Sequence, residues 1–149
     1  MLFHAYLRNG IVYVPTVAVR ESGPVYTDVE PVGVVAVSDT EALRRALLDA
    51  IARGNVTLPR PTGAWPAPIL VKHAGVRTWS EFARNASLWS IEEENGIYQI
   101  VGYRRRPGGS WEQDAQQKTP FSYGVTVDLV IDRMITILKE AAQKRGDKR

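Results

Sequence analysis

The side chains that could do chemistry in this chain of 149 residues form no complete catalytic set. His4 and His73 are its two histidines, and they fall in no HExxH or other metal-ligand spacing, so both are expected as strand or loop residues. Cysteine is absent, which removes thiolate nucleophiles, cysteine metal sites and disulfides together and fits a reducing cytoplasm. No G-x-S-x-G elbow, phosphate loop or Rossmann glycine pattern occurs. Asp114 with Gln116 and Lys118, on alternating positions, is the one nuclease-like fragment. Holding a divalent cation for phosphodiester cleavage needs several carboxylates, and one acid beside an amide is a poor set. A polar edge strand explains it better. No catalytic residue, cofactor or metal site is expected, and the chain is not expected to be an enzyme.

Charge and aromatic residues offer binding chemistry instead. Glu92, Glu93 and Glu94 stand at one end of a strand pair, and Arg104, Arg105 and Arg106 at the other. Trp111 follows Gly108-Gly109 and borders Glu112 and Asp114, which makes it the best candidate among four tryptophans for an exposed contact residue. The expected partner-binding residues are therefore Glu92, Glu93, Glu94, Arg104, Arg106 and Trp111. Such runs also occur as solvated strand ends, and tryptophan more often packs in a core.

The formal net charge of +3 and pI near 9.3 suggest a nucleic-acid partner until the charge is located. Residues 144–149 carry all of it, which leaves 1–143 formally neutral. Direct nucleic-acid binding is accordingly not expected. No run approaches the roughly 18 apolar residues of a membrane span, and the N-terminus lacks a charged segment followed by a long apolar one. A soluble, unprocessed, cytoplasmic protein follows as the expectation.

These residues are positioned by a small set of elements. Asn95-Gly96, between two apolar-containing runs, is the strongest hairpin signal, because both central residues of a type I′ turn need positive φ. A two-residue loop there pairs Ile91 with Ile100. It places Trp89, Ile91, Tyr98 and Ile100 on one face, expected to be the core, and Leu88, Ser90, Glu92, Gln99, Val101 and Tyr103 on the other. A turn at Gly108-Gly109 sets Arg105 opposite Glu112 and Arg106 opposite Trp111, unless a longer loop forms around Pro107.

Asn9-Gly10 marks another hairpin, with Pro15 confined to an edge or bulge. Val25 to Val37 should form one interrupted strand or two short ones. Ser38 and Glu41 have capping-box spacing ahead of a helix ending at Gly54. Four prolines between 55 and 68 favour an extended connector held by Trp65. Ile69 to Lys72 is expected as a short strand, and Thr78 to about Ala86 as a short helix. Thr126 caps a last helix running to about Lys144, with Val127, Val130, Ile131, Met134, Leu138 and Ala141 on its buried side. The fold class is α+β, a mainly antiparallel twisted sheet with hairpins and three helices, the last of them long and packed on the sheet. Residues 1–143 form a single domain, and 144–149 a basic frayed tail.

From Ile69 to Ala142, the segments TWSEF, LWSIEEENGIYQIVGYRRRPGGSWEQD and FSYGVTVDLVIDRMITIL resemble small bacterial immunity proteins of contact-dependent growth inhibition systems. That family shares no catalytic signature, so no residue role carries over. The resemblance implies a cytoplasmic protein that binds one cognate toxin domain, often a nuclease, in a 1:1 complex and blocks its active site or substrate surface. The basic tail departs from the acidic surface expected of a nuclease inhibitor, and Glu92 to Glu94 are the residues that could supply acid. The alternatives are a nucleic-acid-binding or nuclease-like protein using Arg104 to Arg106, and a small structural subunit using a sheet edge. Oligomeric state is open.

Overall fold

A computed structural model describes residues 1–21, 25–59, 62–63 and 67–147. The chain begins with a hairpin, β1 (Leu2–Arg8) and β2 (Ile11–Arg20), joined by Asn9-Gly10 with φ of 51° and 78°. Strand β3 (Val25–Ala36) pairs with β2, then helix α1 (Thr40–Arg53) and a two-residue strand β4 (Thr57–Leu58) follow. Two short helices, α2 (Ile69–Ala74) and α3 (Trp79–Arg84), lead into β5 (Ala86–Glu94), β6 (Ile97–Arg105) and β7 (Trp111–Pro120). Helix α4 (Val127–Asp147) closes the chain. The sheet order is β3-β2-β1-β5-β6-β7, antiparallel throughout except for β4, which pairs parallel to β2. This is α+β, with four helices where three were expected.

The central hairpin has the expected register. Asn95 and Gly96 adopt φ of 55° and 79°, Ile91 faces Ile100, and Glu94 faces Ile97. Trp89, Ile91 and Ile100 are buried, with Phe3, Leu7, Val12 and Val14, beneath α1 and α4. Helix α4 contributes Val130, Ile131, Met134, Ile135 and Leu138 at helical spacing. Full burial of each such side chain is worth about 1.5–3 kcal/mol. Thr126 Oγ1 accepts from Leu129 N at the start of the helix. On the opposite face of the sheet α2 and α3 cover a second, aromatic core of Tyr6, Tyr13, Leu70, Phe82 and Leu88. Trp79 stacks on Phe82 with ring centroids 5.3 Å apart. The sheet is thus covered on one face by two long helices and partly covered on the other by two short ones.

Several expectations are corrected. Ile69 to Lys72 is helical, not a strand: only Leu70 is fully buried there, and four apolar-leaning residues after a proline do not distinguish a helical turn from a strand. Helix α1 is capped by Asp39, which accepts from Ala42 N at 3.1 Å, and not by Ser38. The β6–β7 connection is the longer loop, 106–110, so Arg104 faces Glu112 and Arg105 faces Trp111, one residue from the register of a two-residue turn. Pro15, by contrast, meets its expectation: it lies in β2 at a bulge, the register shift between Val14 and Thr16, as its missing N–H requires. Helix α4 extends to Asp147, beyond the expected end near Lys144. Trp65 lies outside the described residues.

Candidate functional site

The hairpin β5–β6 carries the three glutamates, and strand alternation divides them between faces. Glu92 is half-buried. It accepts from Gln99 Nε2 at 2.5 Å and from Gln113 Nε2 at 2.8 Å, binding three neighbouring strands together. Glu93 points to the other face and its Oε1 accepts from Gly96 N at 2.9 Å, bracing the turn. Glu94 is exposed and makes no hydrogen bond or ion pair among the described residues. Of the three, Glu94 is the carboxylate with no structural engagement of its own.

An open cleft of about 780 Å³ lies beside this tip, lined by all three glutamates with Tyr26, Tyr98 and Gln99 among others. Tyr26, Ile97 and Met1 line it and are exposed. Tyr123, outside the lining, is 79% exposed. The Tyr123 ring lies so close to Gly96 that a side chain added there would meet it at 3.3 Å. Acid and exposed aromatic surface therefore occur together at one end of the sheet.

Arg104, Arg106 and Trp111 lie at the far end of the same strands. Eight residue steps along β6 separate Ile97 from Arg105, roughly 26 Å at strand rise, so the six expected binding residues form two separate groups. Arg104 Nε meets Glu112 at 2.5 Å and Arg106 reaches the same carboxylate at 3.6 Å. Trp111 is half-buried against the aromatic core, and among the described residues its buried Nε1 has no hydrogen-bond partner. In the Asp114, Gln116, Lys118 fragment, Asp114 accepts from Gln117 Nε2 at 2.8 Å and from Gln116 N at 3.0 Å, and these bonds hold its carboxyl below the usual range. It secures the irregular part of β7, where Tyr103 faces Gln113 but Val101 faces Lys118.

A polar network crosses the face opposite α1 and α4. Asp28 on β3 meets His4 Nδ1 at 2.7 Å and accepts from Tyr6 Oη at 2.6 Å. His4 is the register partner of the fully buried Ser90, whose Oγ accepts from Tyr103 Oη at 3.2 Å. His73 on α2 meets Glu30 at 2.6 Å, and this bond holds the Glu30 carboxyl down. Both histidines are thus partnered by carboxylates of β3, and among the described residues no three metal-ligating side chains gather. Sequence spacing had no way to indicate Asp28, because its link to β1 passes over β2. Tyr26 and Tyr123 carried only a compositional signal.

No family model matches the sequence, and no curated protein does. Solved structures do share the fold. One is the "Protein of Unknown Function NMB0488 from Neisseria meningitidis", with a TM-score of 0.65 and 14% identity over 92% of each chain. Another is a chain of the "CdiA-CT/CdiI toxin and immunity complex from Yersinia pseudotuberculosis", with a TM-score of 0.62 and 12% identity over 95% of each chain. At these identities the likeness establishes a common fold over nearly the whole chain. Among the described residues no helix is long and apolar enough to cross a membrane.

Proposed function

We propose that this chain is an immunity protein: a cytoplasmic, non-catalytic binder that neutralises the C-terminal toxin domain of a contact-dependent growth inhibition effector. The observation that carries the reading is the fold likeness, over 95% of both chains, to a chain of the CdiA-CT/CdiI complex. The resemblance of the 69–142 segments to immunity proteins supports it from the sequence side. Binding is 1:1, and the toxin is a nuclease whose active site or substrate surface is covered.

The acidic tip of the central hairpin suits that role. Tyrosine is prominent among residues that dominate interface energies, and a carboxylate beside it selects a basic partner and speeds encounter. Tyr26 and Tyr123 supply aromatic area and Glu94 supplies the free charge. Glu92 and Glu93 act mainly by holding the surface in shape, while Arg104, Arg106 and Trp111 lie outside this contact. Expressing the toxin domain encoded beside this chain should arrest growth, and co-expressing this chain should restore it. Arrest that persists with the chain soluble and abundant would refute the reading.

A further inference from the structure

The other end of the sheet carries a second, chemically opposite cleft. Ser80 and Arg84 of α3 face Arg105, Arg106 and the loop glycines Gly108 and Gly109 across an opening of about 450 Å³. The loop is held in place: Arg106 N donates to Ser110 O at 2.8 Å, Gly109 N to Arg106 O at 3.1 Å, and Trp79 Nε1 to Gly109 O at 3.3 Å. Gly108 and Gly109 have φ of 96° and 90°, a conformation that favours glycine, so that wall of the cleft is bare backbone.

Positive charge accumulates here without matching acid. Glu112 is already shared by Arg104 and Arg106, and among the described residues neither Arg84 nor Arg105 has a carboxylate partner. A further arginine approaches from α4: Arg145 donates to Asn85 O and Ser87 Oγ. Burial, and then the charge of Arg105, hold its guanidinium below the usual range. Guanidinium forks match phosphate oxygens two at a time, and a chain of phosphates satisfies several of them where a single carboxylate would satisfy one.

We propose that this cleft is an oxyanion site for the phosphodiester backbone of a single-stranded nucleic acid, read by charge and not by base sequence. The neutral balance of residues 1–143 conceals the site, because its arginines, Arg84 on one side and Arg105 and Arg106 on the other, come from two different elements, with Arg145 of α4 bonded beside them. It does not rest on the immunity reading, and it lies at the opposite end of β6 from the acidic tip.

Fluorescence anisotropy with a short, mixed-sequence, labelled RNA tests it on the full chain. Binding should weaken as salt rises, with a log–log slope of about −2 to −3 for three or four neutralised phosphates. Arg84→Gln with Arg105→Gln should weaken binding about tenfold and shallow the slope by about 0.7 for each arginine removed. Both side chains are exposed, so the thermal unfolding curve should not move, and Lys72→Gln on α2 should bind like the parent. Equal binding by the double variant would overturn the proposal, as would an equal loss from Lys148→Gln with Arg149→Gln. Perturbation of amide resonances by inorganic phosphate without any RNA binding would also overturn it.

Discussion

Tyr6 Oη on β1 donates to Asp28 Oδ2 on β3 at 2.6 Å, reaching over the intervening strand β2. Burial, and then the Asp28 charge, raise the Tyr6 pKa well above 10.0. A group whose folded pKa is raised contributes stability that is complete below its unfolded pKa and is lost as pH rises through the folded value. The protein should therefore lose stability on the alkaline side of about pH 10. Tyr6→Phe should cost about 1.5–3 kcal/mol at neutral pH and remove that part of the alkaline loss. Denaturant midpoints measured against pH check both, and identical alkaline slopes for parent and variant would contradict the assignment.

Met134 is fully buried between α4 and the sheet. Met134→Ala should cost about 2–5 kcal/mol through the lost contacts and the remaining cavity. Met134→Asp should cost more, since an unpaired carboxylate has no partner there. Chemical denaturation measures each, and an unchanged midpoint for either would remove α4 from the core.

Gly102 leaves no room for a side chain: a Cβ would sit 2.8 Å from the Gln117 Cβ and 2.7 Å from its Oε1. Gly102→Ala must push β7 away where it is already irregular, at a cost of about 1–3 kcal/mol. The check is a thermal unfolding curve, which should shift down by several degrees.

Residues 144–149 hold the net charge and have no large apolar side chain, which from sequence makes them look dispensable. Arg145 is nevertheless bonded to Asn85 O and Ser87 Oγ. Arg145→Ala should cost about 1 kcal/mol, and truncation after Gln143 a similar amount. Equal stability of the truncated and full chains would show that these bonds contribute nothing net.

What sequence could reveal follows the range of the signals. Asn9-Gly10 and Asn95-Gly96 set both hairpins because positive φ at two adjacent residues is a local demand. Thr78 and Thr126 capped their helices for the same reason, and the spacing of Val130, Ile131, Met134 and Leu138 identified the buried side of α4. Ile69 to Lys72 reads as a strand but folds as a helix, because so short a run has no period of its own. The Arg104–Glu112 pairing missed by one residue because the loop length decided it. Less of the candidate site was legible. Spacing located the glutamates but not that Glu92 and Glu93 are engaged while Glu94 is free. The nearness of Tyr123 to Gly96, and of Arg84 to Arg105, depends on how separate elements pack.

The immunity reading is tested most directly by calorimetric titration of this protein with the purified C-terminal toxin domain encoded beside it. A 1:1 complex is expected, with an association rate that falls as salt rises. Glu94→Gln with Tyr26→Ala should weaken binding by about 2 kcal/mol or more while leaving the fold intact. Absence of both heat and co-elution between the folded partners would contradict the account.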